Sequence, residues 1–482
     1  MLFSSIPFTI LFLPVTLLLY YCCPVLKAKN IILLFASILF YAWGEPKFVL
    51  IMVFSIVMNY SAGLLSGSEI FNIQKRKLFL ALGITLNLSV LFIFKYLGFF
   101  GLIVNSLINV FGLSGTRLII PGFILPLGIS FYTFQSISYL IDVYRNPKLV
   151  QRNICDLGLF IALFPQLIAG PIVRYHDIND QILGRKHSFG LFSLGIQRFI
   201  IGLAKKVLIA NTLAVVIDGI LELSFDSVPS VYLLLVVVCG ILQLYYDFSG
   251  YSDMAIGLGR MFGFKLKENF NYPLAATNSM DFWRRWHISL FSWFRDYLYF
   301  PLGGSRKGPA RQFINTLIVF SLIGLWHGAS FSFIIFGLFC GLALIIERPI
   351  IVYINKLFNN CNAVFLGIKF ILAVFYSNAI RIVLFMFFRL DLQESFYFYS
   401  SLFNFNRDIP TPTMVLFLTE PRFYIMLVTA VIFSFPWWRK LRLSEGNPVL
   451  HVVKYIVLLC LFLLSFGSLA SDAYNPFIYF RF

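Results

Sequence analysis

Charged residues are scarce in this chain of 482 residues, where Asp, Glu, Lys and Arg together make up 12%. A soluble domain carries about 25% charged residues, so a soluble globular fold is excluded. Hydrophobic residues account for 59% of the chain, and the mean hydropathy is +0.85. A helix needs about 20 apolar residues to cross the hydrocarbon core of a bilayer. The composition therefore predicts an integral membrane protein.

Apolar runs of about this length recur along the whole chain. They predict an all-α polytopic membrane protein with roughly 10–12 transmembrane helices and further interfacial or re-entrant helices. No polar segment is long enough for a separate soluble domain, so residues 1–482 are expected to form one membrane domain. The predicted spans are residues 3–23, 30–43, 47–66, 78–96, 118–140, 157–172, 191–215, 230–250, 313–346, 364–388, 422–438 and 449–470.

Several chemical signatures are missing. The seven cysteines have no C-x-x-C spacing, and no H-E-x-x-H motif occurs, so neither a metal site nor a disulfide framework is predicted. The absence of G-x-S-x-G disfavours a serine hydrolase. The first apolar stretch has no basic residue before it and Lys27 and Lys29 after it. Because this is the reverse of a cleavable signal peptide, we expect the stretch to be retained as a span.

Acidic residues are also few, which leaves a net charge of +17. In a chain this apolar, basic loops that anchor to anionic lipid explain the charge better than a nucleic-acid partner. The lipid bilayer is therefore the expected partner. No fixed repeat is visible, and no matched pair of broken apolar segments of the kind found in many secondary transporters.

The longest departure from apolar texture is residues 251–312. Within it, residues 281–300 are predicted to form one amphipathic helix that ends before Pro301, lying at the membrane interface or lining a polar cavity. At about 100° per residue, the wheel places Trp283, Trp286 and His287 on the apolar arc. His287 is therefore expected to point toward an apolar interior.

A second histidine lies in the apolar run from Ile314 to Ile346. As one helix this run would rise about 50 Å, whereas the hydrocarbon core is about 30 Å thick. Gly324, Gly328 and Ser330 mark the expected break or close helix contact, and His327 lies within it. Its imidazole is either a functional group facing a ligand or a structural group bonded to a neighbouring carbonyl.

Together the two histidines suggest general base chemistry, because a neutral imidazole accepts a proton from a hydroxyl at physiological pH. A further polar set follows an apolar run directly: Asp247, Ser249, Tyr251 and Asp253. These residues either line the entrance of a polar chamber or belong to the end of a span with a turn near Gly250.

Three longer motifs carry a family resemblance. They are "QLYYDFSGYSDMAIGLGRMFGF", "NFNYPLAATNSMDFWRRWHISLFSWFRDYLYFPLGGSR" and "GLWHGASFSF". The segments "LFPQLIAGPIVRYHDI" and "NPFIYFRF" add to them. The chain resembles the membrane-bound O-acyltransferases, and in particular their bacterial alginate O-acetyltransferase branch. The motif-bearing core is about residues 160–347.

The resemblance implies a multi-helix fold with a central tunnel in which an acyl donor meets a hydroxyl acceptor. His327 corresponds to the family's principal catalytic histidine and His287 to the upstream histidine. Trp326, Trp283 and Trp286 are expected to shape an apolar tunnel. The resemblance further implies no bound cofactor, an acyl thioester co-substrate such as acetyl-CoA or an acyl carrier, and a location in the bacterial cytoplasmic membrane. An extracytoplasmic acetyltransferase partner and a polysaccharide acceptor are also implied.

Three other functions stay open at this point. One is D-alanyl transfer toward teichoic acid by a member of the same family. A second is a transporter or flippase that moves an activated acyl group or a lipid-linked sugar without chemistry. A third is an assembly subunit of a polysaccharide export complex, in which the histidines only pack. The sequence leaves open the acceptor, the donor and the oligomeric state.

Overall fold

The computed structural model describes residues 1–112, 118–358, 362–404, 420–437, 448–471 and 475–476. Within these ranges the regular elements are helices, and no strand occurs. A helix satisfies every backbone N–H and C=O inside its own segment, as a chain surrounded by hydrocarbon requires. The prediction of an all-α polytopic membrane protein is confirmed. The described residues include eight helices long and apolar enough to cross a membrane, and two shorter apolar helices.

The chain divides into two compact units. The first consists of residues 1–196 and 255–267, and the second of residues 197–254 and 268–482. The expectation of one membrane domain over residues 1–482 stays a prediction.

The first unit contains the N-terminal helices. Several follow the predicted spans closely, whereas two predicted spans are wrong as continuous helices. Residues 118–128 are not helical, because Pro121 and Pro126 interrupt the segment and Gly128 has a left-handed φ of 73°. Residues 157–172 contain the last six residues of a nine-residue helix and a separate four-residue helix. The helices are α1 (Pro7–Cys22), α2 (Leu26–Gly44), α3 (Val49–Ser66), α4 (Ile73–Val110), α5 (Ile129–Arg145), α6 (Ile154–Ala162), α7 (Tyr175–Gly184) and the start of α8 (Phe189–Leu221).

The second unit holds the motif-bearing helices and the C-terminal ones. Its helices are the remainder of α8, α9 (Ser230–Met261) as far as residue 254, α10 (Ser279–Arg285), α11 (Ile288–Phe294), α12 (Pro309–His327), α13 (Phe331–Leu357), α14 (Ala363–Arg389), α15 (Leu392–Leu402), α16 (Pro421–Phe433) and α17 (Pro448–Ala470). Most of the terminal segment "NPFIYFRF" lies outside the described residues.

An asparagine caps the N-terminus of several of these helices. Asn278 Oδ1 accepts a hydrogen bond from the Asp281 N–H at 2.9 Å, and Asn362 Oδ1 accepts one from the Phe365 N–H at 3.1 Å. A side-chain oxygen at this position satisfies one of the N–H groups that have no partner within the helix. The cap at Asn278 fixes where α10 begins.

The long apolar run from 313 to 346 is interrupted at the position that its glycine and serine residues predicted. α12 ends at His327, and α13 begins at Phe331. The two helices then approach closely through glycine. A Cβ at Gly324 would collide with the carbonyl oxygen of Phe333, and a Cβ at Gly337 would collide with that of Phe320. Glycine at both positions therefore permits backbone-to-backbone contact.

Residues 281–300 are not one helix, so that prediction is wrong. α10 ends at Arg285, and α11 begins at Ile288. His287 between them has a left-handed φ of 43°. The turn is held by an acceptor distant in sequence, because the Ile288 N–H donates to the Asn269 carbonyl at 2.9 Å. Within α10, Arg285 Nε and Asp281 Oδ1 form an ion pair at 2.7 Å.

Candidate active site

His327 lies at the wall of a cavity in the second unit. As the last residue of α12 it is 6% exposed, and its ring lies 5.0 Å from the ring of Phe388. The cavity has a volume of about 60 Å³. Its wall is mainly apolar, with Trp283 and Trp286 contributed by α10 and the segment after it. The structure thus places three of the predicted site residues around one cavity.

Arg381 and Ser279 are the other strongly polar groups of this wall. Arg381 Nη2 donates to Ser279 Oγ at 3.0 Å, and Ser279 Oγ donates to Glu347 Oε1 at 2.8 Å. The Ser279 N–H also donates to Glu347 Oε2 at 2.6 Å. The guanidinium carbon of Arg381 lies 4.3 Å from the ring centre of Phe282. A hydrogen-bonded chain that runs from the Arg381 guanidinium to the Glu347 carboxylate therefore borders the cavity.

Cys340 on α13 also lines the cavity and is buried. It lies beside Phe320 of α12 and Leu384 of α14 in a small hydrophobic cluster. The thiol behaves there as a small apolar group.

His287 is completely buried next to Asn269. Its Nδ1 lies 3.1 Å from Asn269 Oδ1, and its ring lies 4.6 Å from the ring of Phe248. Burial lowers the pKa of His287 well below its ordinary value of about 6.5, and the nearby His327 lowers that pKa further. His287 is therefore a neutral imidazole at pH 7.

Trp326 connects the two histidines by contact. Its ring centre lies 4.9 Å from that of His327 and 5.8 Å from that of His287. Trp326 is 4% exposed but does not belong to the cavity wall. The two histidines, 40 positions apart in the chain, are thus brought to the same indole.

The four polar residues that were predicted to line a chamber entrance lie on α9, away from the cavity wall. All four are buried, and none lines the cavity. Asp247 Oδ1 lies 2.7 Å from Lys206 Nζ. Asp253 forms ion pairs with two basic side chains: its Oδ1 lies 2.6 Å from Arg198 Nη2, and its Oδ2 lies 2.7 Å from Lys205 Nζ. Ion pairs account for burial of the two acids. A role of Asp247, Ser249, Tyr251 and Asp253 at a tunnel entrance stays a prediction.

Sequence reasoning missed four polar residues around this site: Ser279, Glu347, Arg381 and Asn269. Arg381 lies within the predicted span 364–388, and a charged residue inside a span is itself a functional signal. Ser279 and Asn269 carry no comparable local signal. Their roles arise from partners 68 and 18 positions away.

Among the residues that the structure describes, no group of three or more His, Cys, Asp or Glu side chains is placed to hold a metal ion.

A buried imidazole beside an apolar cavity, in a polytopic helical protein, is the arrangement expected of an enzyme acting on a partly apolar substrate within the membrane. The model of the membrane-bound O-acyltransferase family matches residues 38–389 of the chain. The chain therefore belongs to the membrane-bound O-acyltransferase family, and it is a multi-pass membrane O-acyltransferase.

Individual relatives agree with this assignment. The chain is 38% identical over 505 residues to the "Probable alginate O-acetylase AlgI" of Pseudomonas putida, with 100% of both chains covered. It is 45% identical over 350 residues to the protein of the same name from Azotobacter vinelandii, covering 73% of this chain and 69% of the relative. It is 38% identical over 383 residues to the "Peptidoglycan O-acetyltransferase" of Helicobacter pylori, covering 72% and 70%.

Proposed function

We propose that this protein transfers acetyl groups from a cytoplasmic thioester donor across the membrane toward hydroxyl groups of a cell-envelope or secreted polysaccharide. His327 is the general base. The observation that carries the proposal is the position of this imidazole, buried at the end of α12 and facing an apolar cavity. A base in this position contributes about 10²- to 10⁴-fold to the rate.

The reaction balances without a cofactor. The accepting hydroxyl oxygen attacks the thioester carbonyl while His327 takes the hydroxyl proton. The new C–O ester bond forms, and the C–S bond breaks. The proton then passes from the His327 imidazolium to the leaving thiolate, which restores the neutral base. Acetyl-CoA and an acetylated carrier are both donors of the required chemical class.

The cavity suits a small acyl group. One water takes roughly 10–15 Å³ of such space, so a volume of about 60 Å³ holds about four to six water-sized groups. The methyl carbon, carbonyl carbon, oxygen and sulfur of an acetyl thioester are four such atoms.

The remaining site residues have supporting roles in the proposal. Trp283 and Trp286 form an apolar part of the cavity wall, against which the acetyl group lies. His287 assists by orienting a substrate group, and Trp326 keeps the two histidines in contact with a common ring. Exclusion of water by these aromatic rings favours transfer to the polysaccharide over hydrolysis of the thioester.

We propose an alginate-like polysaccharide as the acceptor. The names of the two alginate O-acetylase relatives support this choice. The protein would then act in the bacterial cytoplasmic membrane. An extracytoplasmic acetyltransferase partner, as the resemblance of the motifs to the alginate O-acetyltransferase branch implies, would complete transfer to the glycan.

Mass spectrometry of envelope and secreted glycans tests the proposal. A deletion strain is complemented with the wild-type protein or with His327→Ala, and membrane levels are matched by immunoblot. We expect acetyl esters with the wild-type protein and at least a 100-fold loss with the variant. Near-normal acetylation by His327→Ala would sink the proposal.

The same strains separate the other functions. D-alanyl esters lost together with the protein would indicate D-alanyl transfer. A transporter would move its substrate across vesicles, while the purified wild-type protein would show no acyl transfer that depends on His327. An assembly subunit would lose its fold, and not only its activity, when His327 is replaced.

A further inference from the structure

The chain reverses at His287 in a conformation that few residues other than glycine adopt. Its φ of 43° and ψ of 51° lie in the left-handed region. Such strain persists only where neighbouring contacts impose it. The contacts come from Asn269, which is completely buried and bonds to this turn through both its backbone and its side chain. The turn is therefore built around one asparagine.

The orientation of the Asn269 side-chain amide is fixed by its neighbours. The Ser289 N–H lies 3.1 Å from Asn269 Oδ1, and Ser289 Oγ lies 2.8 Å from the same atom. A backbone N–H can only donate, so the atom facing it must be the amide oxygen and not the amide nitrogen. Asn269 Oδ1 is consequently an acceptor shared by this turn.

This orientation determines where the proton of His287 resides. His287 Nδ1 lies 3.1 Å from the same Asn269 oxygen. Two lone pairs facing each other at this distance would repel, so Nδ1 must carry the hydrogen and donate it. In a neutral imidazole the other ring nitrogen, Nε2, then carries the lone pair.

We propose that Asn269 is a positioning residue that holds His287 in a single neutral tautomer, protonated on Nδ1 and basic on Nε2. The inference rests on the proposed function, in which His287 orients a substrate group. It deepens that role, because a substrate group that meets Nε2 must be a hydrogen-bond donor such as a hydroxyl or an amide N–H. His287 in this form accepts from the substrate and does not stabilise the oxyanion of the reacting thioester.

The tautomer is measured directly by ¹⁵N NMR of the full-length protein, labelled in its five histidines and reconstituted in lipid vesicles at pH 7. The signals of His287 are identified by their loss in His287→Asn, since asparagine tolerates the left-handed conformation. We expect a protonated Nδ1 and an unprotonated Nε2. A protonated Nε2, or a doubly protonated ring, would overturn the inference.

Three variants test the role of Asn269. Asn269→Leu removes the acceptor at similar volume, and we expect mixed tautomers of His287 and at least about a 10-fold loss of acyl transfer. Asn269→Asp keeps an acceptor oxygen, and we expect it to retain the Nδ1 proton and recover most of the activity. Asn315→Leu is the matched control, because Asn315 is also completely buried but donates to the carbonyls of Leu302 and Gly304. It should leave the His287 signals unchanged.

The readouts separate this inference from the proposed function. If Asn269→Leu does not fold, the wild-type spectrum alone still decides the tautomer. A wild-type spectrum with Nε2 protonated contradicts the role of Asn269 without touching that of His327. A spectrum with the expected tautomer, together with full acyl transfer by His287→Asn, would instead contradict the assisting role of His287.

Discussion

His327 and the acidic residues of α9 are buried to a similar degree, yet they have different surroundings. His327, 6% exposed, borders a cavity, whereas Asp247, 1% exposed, is paired with Lys206. Both would be read from the sequence as functional groups, because polar side chains inside a membrane are costly. His327 lines the cavity of about 60 Å³, and the acidic residues of α9 do not. The comparison teaches that an adjacent cavity distinguishes a candidate catalytic base from a buried ion pair.

The ion pairs of α9 connect helices and do not border the cavity. Lys206 Nζ also donates to Asn211 Oδ1 at 2.8 Å and to the carbonyl of Pro476, so one ammonium joins α8, α9 and the C-terminal segment. Such a group stabilises a particular arrangement of helices. We therefore expect variants at the two places to fail in different ways.

The largest effect on stability is expected from Asp247→Asn, which leaves the Lys206 ammonium buried without its anion. Breaking a buried pair from one side costs about 3–5 kcal/mol of the free energy of unfolding. Thermal unfolding in detergent measures this loss. The double variant Lys206→Met with Asp247→Leu should recover part of the stability. Equal stability of Asp247→Asn and the wild-type protein would remove the distinction between the two places.

Filling the cavity should lower the rate of acyl transfer and leave the stability nearly unchanged. Ala343 lines it, and Ala343→Leu places three more carbon atoms where the acyl group is proposed to lie. We expect acyl transfer to fall about 10- to 200-fold, as for unmatched methylene groups in apolar pockets. Thermal unfolding should change little. The control is Ala81→Leu on an exposed face of α4, which should leave the transfer rate unchanged. Full activity of Ala343→Leu would place the acyl group elsewhere.

The smallest expected effect concerns pH. Burial lowers the pKa of His287 in the folded protein, so below about pH 6.5 the unfolded chain binds a proton that the folded protein does not. The free energy of unfolding should therefore decrease as the pH falls from about 6.5, by at most about 1.4 kcal/mol per pH unit for each such group. His287→Asn should flatten this dependence between about pH 6.5 and 5.

A residual slope is expected in that variant, because burial also lowers the pKa of His187. Unfolding temperatures of the wild-type and variant proteins across this pH range provide the measurement. Parallel curves would show that His287 is not buried in its neutral form.

The break near His327 was predictable, because the length of the run requires an interruption and its glycine and serine residues indicate where it lies. A run from Ile314 to Ile346 cannot be one ordinary span, and glycine near its centre permits the break. The failed span over residues 118–140 also had a local signal. Pro121 and Pro126 remove backbone donors, so the helix starts only after Gly128.

The turn at His287 could not be predicted in this way. Residues 281–300 have a good amphipathic pattern, and the interruption depends on acceptors supplied by Asn269. Likewise, the Ser279–Glu347 hydrogen bonds join residues 68 positions apart, so they exist only after α10 and α13 have packed together. The apolar setting of both histidines was readable from the sequence, whereas the polar residues that orient the site were not.

The most direct test of the account measures thiol release from acetyl-CoA, with an unacetylated polysaccharide as acceptor, by the protein in membrane vesicles of the complemented deletion strain, which retain the proposed extracytoplasmic partner. His327→Ala is compared with His451→Ala, which replaces an exposed histidine of α17. We expect His327→Ala to unfold at the wild-type temperature while losing about 10²- to 10⁴-fold of the rate, and His451→Ala to keep it. Equal rates for the two variants would contradict a base at His327.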